Sequence, residues 1–120
     1  MPEDSREAAP PGEAVGRTTP RALIVGPLTL DVFPDGVQAG GPVSYAARAA
    51  AALGERIAIL TTGGPDAQCN AFAGHDTCFV PAGATLRFEF HDAPDGSRRL
   101  RVFAWLDRQL REHDLPAGWE

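Results

Sequence analysis

Cysteine is scarce: Cys69 and Cys78 are the full complement, too few for a small fold held by disulfides. Long apolar runs are missing as well. The longest apolar stretches, around residues 22–25 and 46–53 (the latter interrupted by Arg48), fall well short of the roughly 18–20 residues that cross a bilayer, so no membrane span is expected. Residues 1–20 hold no apolar run, which argues against a secretory signal and makes a reducing cytoplasm the expected location. Two nucleotide signatures are absent. Gly26-Pro27-Leu28 is no G-x-G-x-x-G, and G-x-x-x-x-G-K-[ST] occurs nowhere, which disfavours a dinucleotide enzyme or a P-loop NTPase. The net charge of −5 is spread over segments of mixed sign with no basic face, so nucleic acid is not an expected partner. No internal repeat is present.

What remains is ordinary for a globular chain: 43% hydrophobic and 22% charged residues. Residues 1–20 carry four prolines, three glutamates and no aromatic residue, and cannot bury enough apolar surface to offset the entropy of ordering. They read as a disordered tail, leaving about 100 residues for one modest core.

That core opens at residue 21. Ala22-Leu23-Ile24-Val25 runs into Gly26-Pro27, a short buried strand followed by a breaker. Residues 28–33 continue extended, with Asp31 near the strand end, until Pro34-Asp35-Gly36 turns the chain. Gly40-Gly41-Pro42 leads into a helix over residues 43–53, with proline in its first turn, alanine at 46, 47, 49, 50, 51 and 52, and Gly54 at the stop. Such small side chains let a helix lie close on a sheet. Residues 56–62 read as a second strand ending in Gly63-Gly64-Pro65-Asp66. Strand, helix and strand make a parallel pair with a right-handed crossover. A short helix over 68–74 and a short strand at 78–80, closed by Pro81, follow.

From Thr85 the period changes to two. Leu86, Phe88 and Phe90 alternate with Arg87, Glu89 and His91; after Pro94-Asp95-Gly96, Leu100, Val102 and Ala104 alternate with Arg99, Arg101, Phe103 and Trp105. This is a β-hairpin with one packing face and one arginine-bearing face. Residues 106–120 give no clear element.

Several candidate sites follow. Gly40-Gly41 before a helix start either makes a tight loop or admits a ligand to bare backbone beside unpaired helix N–H groups. Asp31 is either a surface turn residue or a carboxylate aimed at the crevice of an open α/β sheet, able to accept bonds from two hydroxyls. Cys69, His75 and Cys78 fit no tight zinc spacing and read as buried or incidental groups. His91 and His113 have no partner placed to form a nucleophile–base pair. Arg87, Arg99 and Arg101 read as solvated strand charges.

Taken in order, Leu23-Ile-Val-Gly-Pro-Leu-Thr-Leu-Asp31, Gly40-Gly41-Pro-Val-Ser-Tyr-Ala-Ala47, the helix closing at Leu53-Gly54, and residues 57–66 resemble the start of ribokinase-like (PfkB-type) carbohydrate kinases. The implied fold class is α/β: a partial ribokinase-like parallel sheet with a crossover helix plus a β-hairpin lid. The implied division is a tail (1–20), a partial sugar-kinase core (21–84), the lid (85–106) and a truncated connection to a missing C-terminal part (107–120). The resemblance implies ATP-dependent phosphoryl transfer to a hydroxyl of a sugar or polyol, with a divalent cation such as Mg accompanying the nucleotide. Asp31 matches the family's substrate-binding aspartate, and Gly40 and Gly41 its glycine pair at the sugar site. The lysine and asparagine that ribokinase carries just beyond are Pro42 and Tyr45 here, so only the acceptor class is implied. The family's Gly-Ala-Gly-Asp, which bears the general base, occurs nowhere in the 120 residues. No catalytic residue is therefore expected in this chain, and it should be inactive alone. The alternative is a non-catalytic polyol-binding module or half of a split protein. An unfinished sheet edge would favour a partner, and a lid-mediated dimer is a further possibility.

Overall fold

The structure, a computed structural model, describes residues 19, 20 and 22–119; the expected tail, apart from Thr19 and Pro20, lies outside the described residues. Leu23, Ile24 and Val25 form β1 (Leu23–Val25), which pairs in parallel with β4 (Ala58–Gly63). β4 in turn pairs in parallel with β5 (Asp76–Pro81), giving the order β1-β4-β5. All six residues of β4 are buried, as a central parallel strand requires.

Between β1 and β4 runs α1 (Pro42–Ala52), which starts at a proline in its first turn. Val43, Ala47 and Ala50 lie on one helical stripe and are buried. They pack with Leu28, Ile57, Ile59 and Phe72 to form the core. The expected helix at 68–74 is a single 3₁₀ turn, Asn70–Phe72, whose Phe72 fills the end of this cluster. His75 fastens helix to sheet: one ring tautomer accepts the Ile57 N–H at Nδ1 (3.1 Å) and donates from Nε2 to the Ala47 carbonyl (2.9 Å). Arg56 grips the Asp76 carboxylate with contacts of 2.6 and 2.7 Å, holding the approach to β4 against the start of β5.

The opposite face of this sheet meets the C-terminal segment. Leu110 and Leu115 face Leu23, Val25 and Leu60 across a groove of about 230 Å³. A short 3₁₀ turn, Glu112–Asp114, anchors the segment. The Arg108 guanidinium donates to Asp114 (2.7 Å) and the Arg111 N–H does so as well (2.8 Å), which holds the Asp114 carboxyl below the usual carboxylate range.

A second sheet stands apart from the first, in the order β3-β2-β6-β7. β2 (Thr29–Phe33) turns at Pro34-Asp35 into antiparallel β3 (Gly36–Gly40) and pairs in parallel with β6 (Leu86–Asp92). β6 pairs antiparallel with β7 (Arg98–Ala104). At the turn between them Gly96 has φ +87°, and the Ser97 hydroxyl and N–H both bond Asp95 (2.6 and 2.9 Å), lowering the pKa of that carboxyl.

The hairpin expected at 85–106 is thus present, but as half of a four-stranded sheet. Residues 28–33 leave the first sheet at Gly26-Pro27, and after the expected turn residues 36–40 form a strand that no local pattern announced. Asp31 accordingly sits mid-strand in the second sheet, not at the carboxyl end of a strand in the first. Two features hid this. β2 is only five residues long, so its alternation of Thr29 and Asp31 with Leu30 and Val32 is a brief signal, and the β2–β6 pairing joins segments far apart in sequence, which local pattern cannot reveal.

The sheets are pinned where the chain passes from β5 to β6. The Thr85 hydroxyl donates to Asp66 Oδ1 (2.6 Å) and accepts the Gly64 N–H (2.9 Å). A Cβ on Gly64 would lie 2.6 Å from the Ala84 Cα, so only glycine allows this approach. Among the described residues, no helix is long and apolar enough to cross a membrane.

Leu28 is fully buried where the chain leaves the first sheet, whereas Leu53, just past α1, is 78% exposed. Leu28→Ala should lower the unfolding free energy by about 3 kcal/mol, and Leu53→Ala should change it by less than about 0.5 kcal/mol. Urea titrations of the two variants check the contrast.

Candidate functional site

Asp31 is 5% exposed, so its carboxylate depends on the donors the fold supplies. Thr29, two residues earlier, projects from the same face of β2, and its hydroxyl donates to Asp31 Oδ1 at 2.8 Å. The Tyr45 hydroxyl, from the first turns of α1, donates more weakly to Oδ2 at 3.4 Å. The Arg48 guanidinium, almost one turn on, lies over the Tyr45 ring 4.8 Å from its centroid. Both described donors to the carboxylate are neutral hydroxyls. Its two oxygens have more lone pairs than these bonds use.

Gly40 and Gly41 form the corner that brings α1 to this carboxylate. Gly40 pairs with Thr29 across the sheet, and its bare Cα faces Asp31: a Cβ there would lie 2.6 Å from the Asp31 Cγ and overlap the carboxylate oxygens. Gly41 caps the helix with φ +85°, and a Cβ on it would meet the Pro27 carbonyl oxygen at 2.7 Å. Its own carbonyl accepts the Ser44 and Tyr45 N–H groups (3.1 and 3.2 Å), which sets the first turn and so the position of the Tyr45 phenol. The glycine pair was expected either to make a tight loop into the helix or to admit a ligand to bare backbone. In the fold, Gly40 clears space for Asp31, and Gly41 for the link between the two sheets.

The face of the second sheet that carries Asp31 also carries a band of aromatic residues. Asp31 is flanked by Gln38 on β3 and by Phe88 on β6. Further out, Phe33 and Phe90 stack with centroids 4.9 Å apart and planes inclined by 10°, and the Arg98 guanidinium lies over both rings at 6.0 and 5.7 Å. On the opposite face Arg87 and Arg101 flank the Phe103 ring at 5.3 and 5.5 Å. The pattern of β7 departs from strict alternation because the register shifts between Arg87 and Phe88, which brings Ala104 opposite Arg87.

The remaining sequence candidates do not converge on this site. Cys69 is exposed and Cys78 partly so, and both are free thiols. Both ring nitrogens of His75 are engaged within the core, and among the described residues no group of three His, Cys, Asp or Glu side chains is arranged to hold a metal ion. His91 lies 3.5 Å from Glu89, and His113 lies 3.8 Å from Asp114. Sequence reasoning missed Thr29, Tyr45 and Phe88 as neighbours of Asp31. The Thr-x-Asp spacing was the available signal for Thr29; the other two needed the tertiary arrangement.

Neither a family model nor a curated protein sequence matches the chain. Solved structures do. Fructokinase from Vibrio cholerae O395 superimposes with a TM-score of 0.66 at 23% identity, over 82% of this chain and 40% of that one. A pyrophosphate-dependent kinase in the ribokinase family, complexed with a pyrophosphate analog and myo-inositol, gives 0.59 at 17% identity, over 78% and 35%. A pyrophosphate-dependent myo-inositol-1 kinase altered to a myo-inositol-3 kinase gives 0.59 at 20%, over 78% and 33%. The chain therefore has a partial ribokinase-like fold, and it spans about 33–40% of the length of these structures.

Gly40→Ala and Gly41→Ala should each lower thermal stability, by about 1–3 kcal/mol. Their partners differ, and so should their rescue. Asp31→Ala should restore much of the loss in Gly40→Ala, whose added methyl meets the carboxylate, and none of the loss in Gly41→Ala, whose methyl meets backbone. Melting curves of the two double mutants distinguish these cases.

Proposed function

We propose that these 120 residues form the acceptor-binding part of a kinase that transfers a phosphoryl group to a hydroxyl of a sugar or related polyol. The observation that carries this reading is Asp31: a buried carboxylate with neutral donors and spare acceptor capacity, in a chain with a partial ribokinase-like fold. Asp31, Gly40 and Gly41 are the proposed substrate-site residues. A carboxylate accepting two hydroxyl hydrogen bonds fixes both the position and the rotation of a polyol, with each charge-assisted bond contributing about 1.5–3 kcal/mol. Thr29 and Tyr45 hold the carboxylate in place for that role.

ATP with a divalent cation such as Mg is the proposed donor system of the whole enzyme, with pyrophosphate the rival that two of the structural neighbours suggest. The described residues fit neither nucleotide nor cation: they include no set of three metal-ligating side chains, and the chain has no Gly-Ala-Gly-Asp. No phosphoryl-transfer step is therefore assigned to them, and the proposed role is binding and orientation. The free thiols Cys69 and Cys78 support a cytoplasmic setting.

A second reading, a binding module or half of a split protein, is favoured by β1. Among the described residues β1 pairs with β4 along one edge only, and its other edge suits a further strand from a C-terminal part or from a separate chain. A dimer formed through the second sheet is supported by exposed Phe103 and Trp105 at the end of β7.

Purified chain incubated with ATP or pyrophosphate, Mg²⁺ and a panel of sugars and polyols should yield no phosphorylated product. Polyol titration followed by NMR should shift resonances around Asp31, and Asp31→Asn should remove the shifts. Turnover by the purified chain would overturn the binding-only role. Shifts that survive Asp31→Asn would overturn the assigned site.

A further inference from the structure

Asp31 lies between unlike neighbours. Gln38, its cross-strand partner on β3, is exposed and polar, whereas Phe88, its partner on β6, presents a half-buried aromatic ring on the same face. Adjacent strands lie about 4.8 Å apart, so a ligand hydrogen-bonded to the carboxylate comes within reach of that ring. Aromatic and apolar residues neighbour Phe88 on this face. Phe90, two residues on, is stacked on Phe33 and covered by Arg98, while Val102 pairs with Phe88 from β7.

Resting on the acceptor-site reading, we infer that Phe88 is a specificity-determining residue that selects polyols in ring form by stacking against their C–H face while Asp31 binds their hydroxyls. The chemistry follows from shape. A cyclic polyol carries hydroxyls around its rim and C–H groups on a broad face, so it can satisfy carboxylate and aromatic ring together. An open-chain polyol of the same composition of hydroxyls has no persistent flat face, and must lose torsional freedom to create one. An aromatic shelf one strand from a buried carboxylate therefore separates the two classes, although the hydrogen-bonding groups they offer are alike.

The test uses the 120-residue chain with myo-inositol and D-mannitol, which have equal numbers of carbons and hydroxyls, titrated by NMR. Wild-type chain should bind myo-inositol about five- to tenfold more tightly than D-mannitol. Phe88→Leu keeps an apolar side chain at this half-buried position, and a thermal melt checks that it folds. It should weaken myo-inositol to the D-mannitol level and leave D-mannitol unchanged, with Phe88→Tyr restoring the preference. Asp31→Asn should weaken both. Equal binding of the two polyols by wild type, or an unchanged ratio in Phe88→Leu, overturns the role of Phe88 while the acceptor site stands. Binding of neither polyol, or indifference of both to Asp31→Asn, overturns the acceptor site and this inference with it.

Discussion

The carboxylate of Asp31 constrains the rest of the site. A buried carboxylate is tolerable only if hydrogen-bond donors meet it, and among the described residues they come from two different elements: Thr29 on the same strand and Tyr45 on α1. Tyr45 reaches it because α1 begins where it does. The helix begins there because Gly41 turns with positive φ against the Pro27 carbonyl. Gly40 leaves room for the carboxylate oxygens themselves. One acidic side chain thus depends on the strand, the corner and the helix start together, and a change in any of them is felt at the carboxylate.

The same corner sets the relation between the two sheets. The chain crosses from the first sheet to the second at Gly26-Pro27, returns through Gly40-Gly41, and crosses again before Thr85. At the last crossing, Thr85 links the Gly64 N–H to Asp66, and the Gly83 N–H bonds Asp107 at 3.0 Å. Two of these bonds are donated by glycine backbone, and at Gly64 the approach to Ala84 leaves no room for a side chain.

Much of the first sheet was legible without coordinates. The apolar run at residues 22–25, the alanine-rich stretch after Pro42 and the second apolar run ending at Gly63 gave β1, α1 and β4 to within two residues, because each carries strong local signals. The β6–β7 hairpin was equally legible from its alternation and its Asp-Gly turn. β2 and β3 were not. Each is only five residues long, and their place beside β6 depends on a long-range pairing.

The amino-acid sequence by itself determined part of the inventory: β1, α1, β4 and the β6–β7 hairpin, the parallel course of β1 and β4, and Asp31 and Gly40-Gly41 as the residues to watch. Only the tertiary structure decided what those residues do to one another. Mid-strand placement buries Asp31, cross-strand register sets it beside Phe88, and the Gly41 corner brings Tyr45 onto its second oxygen. The reason is physical. Propensity and periodicity act over a few residues, whereas burial and hydrogen-bond partnership arise only when segments far apart in the chain come together.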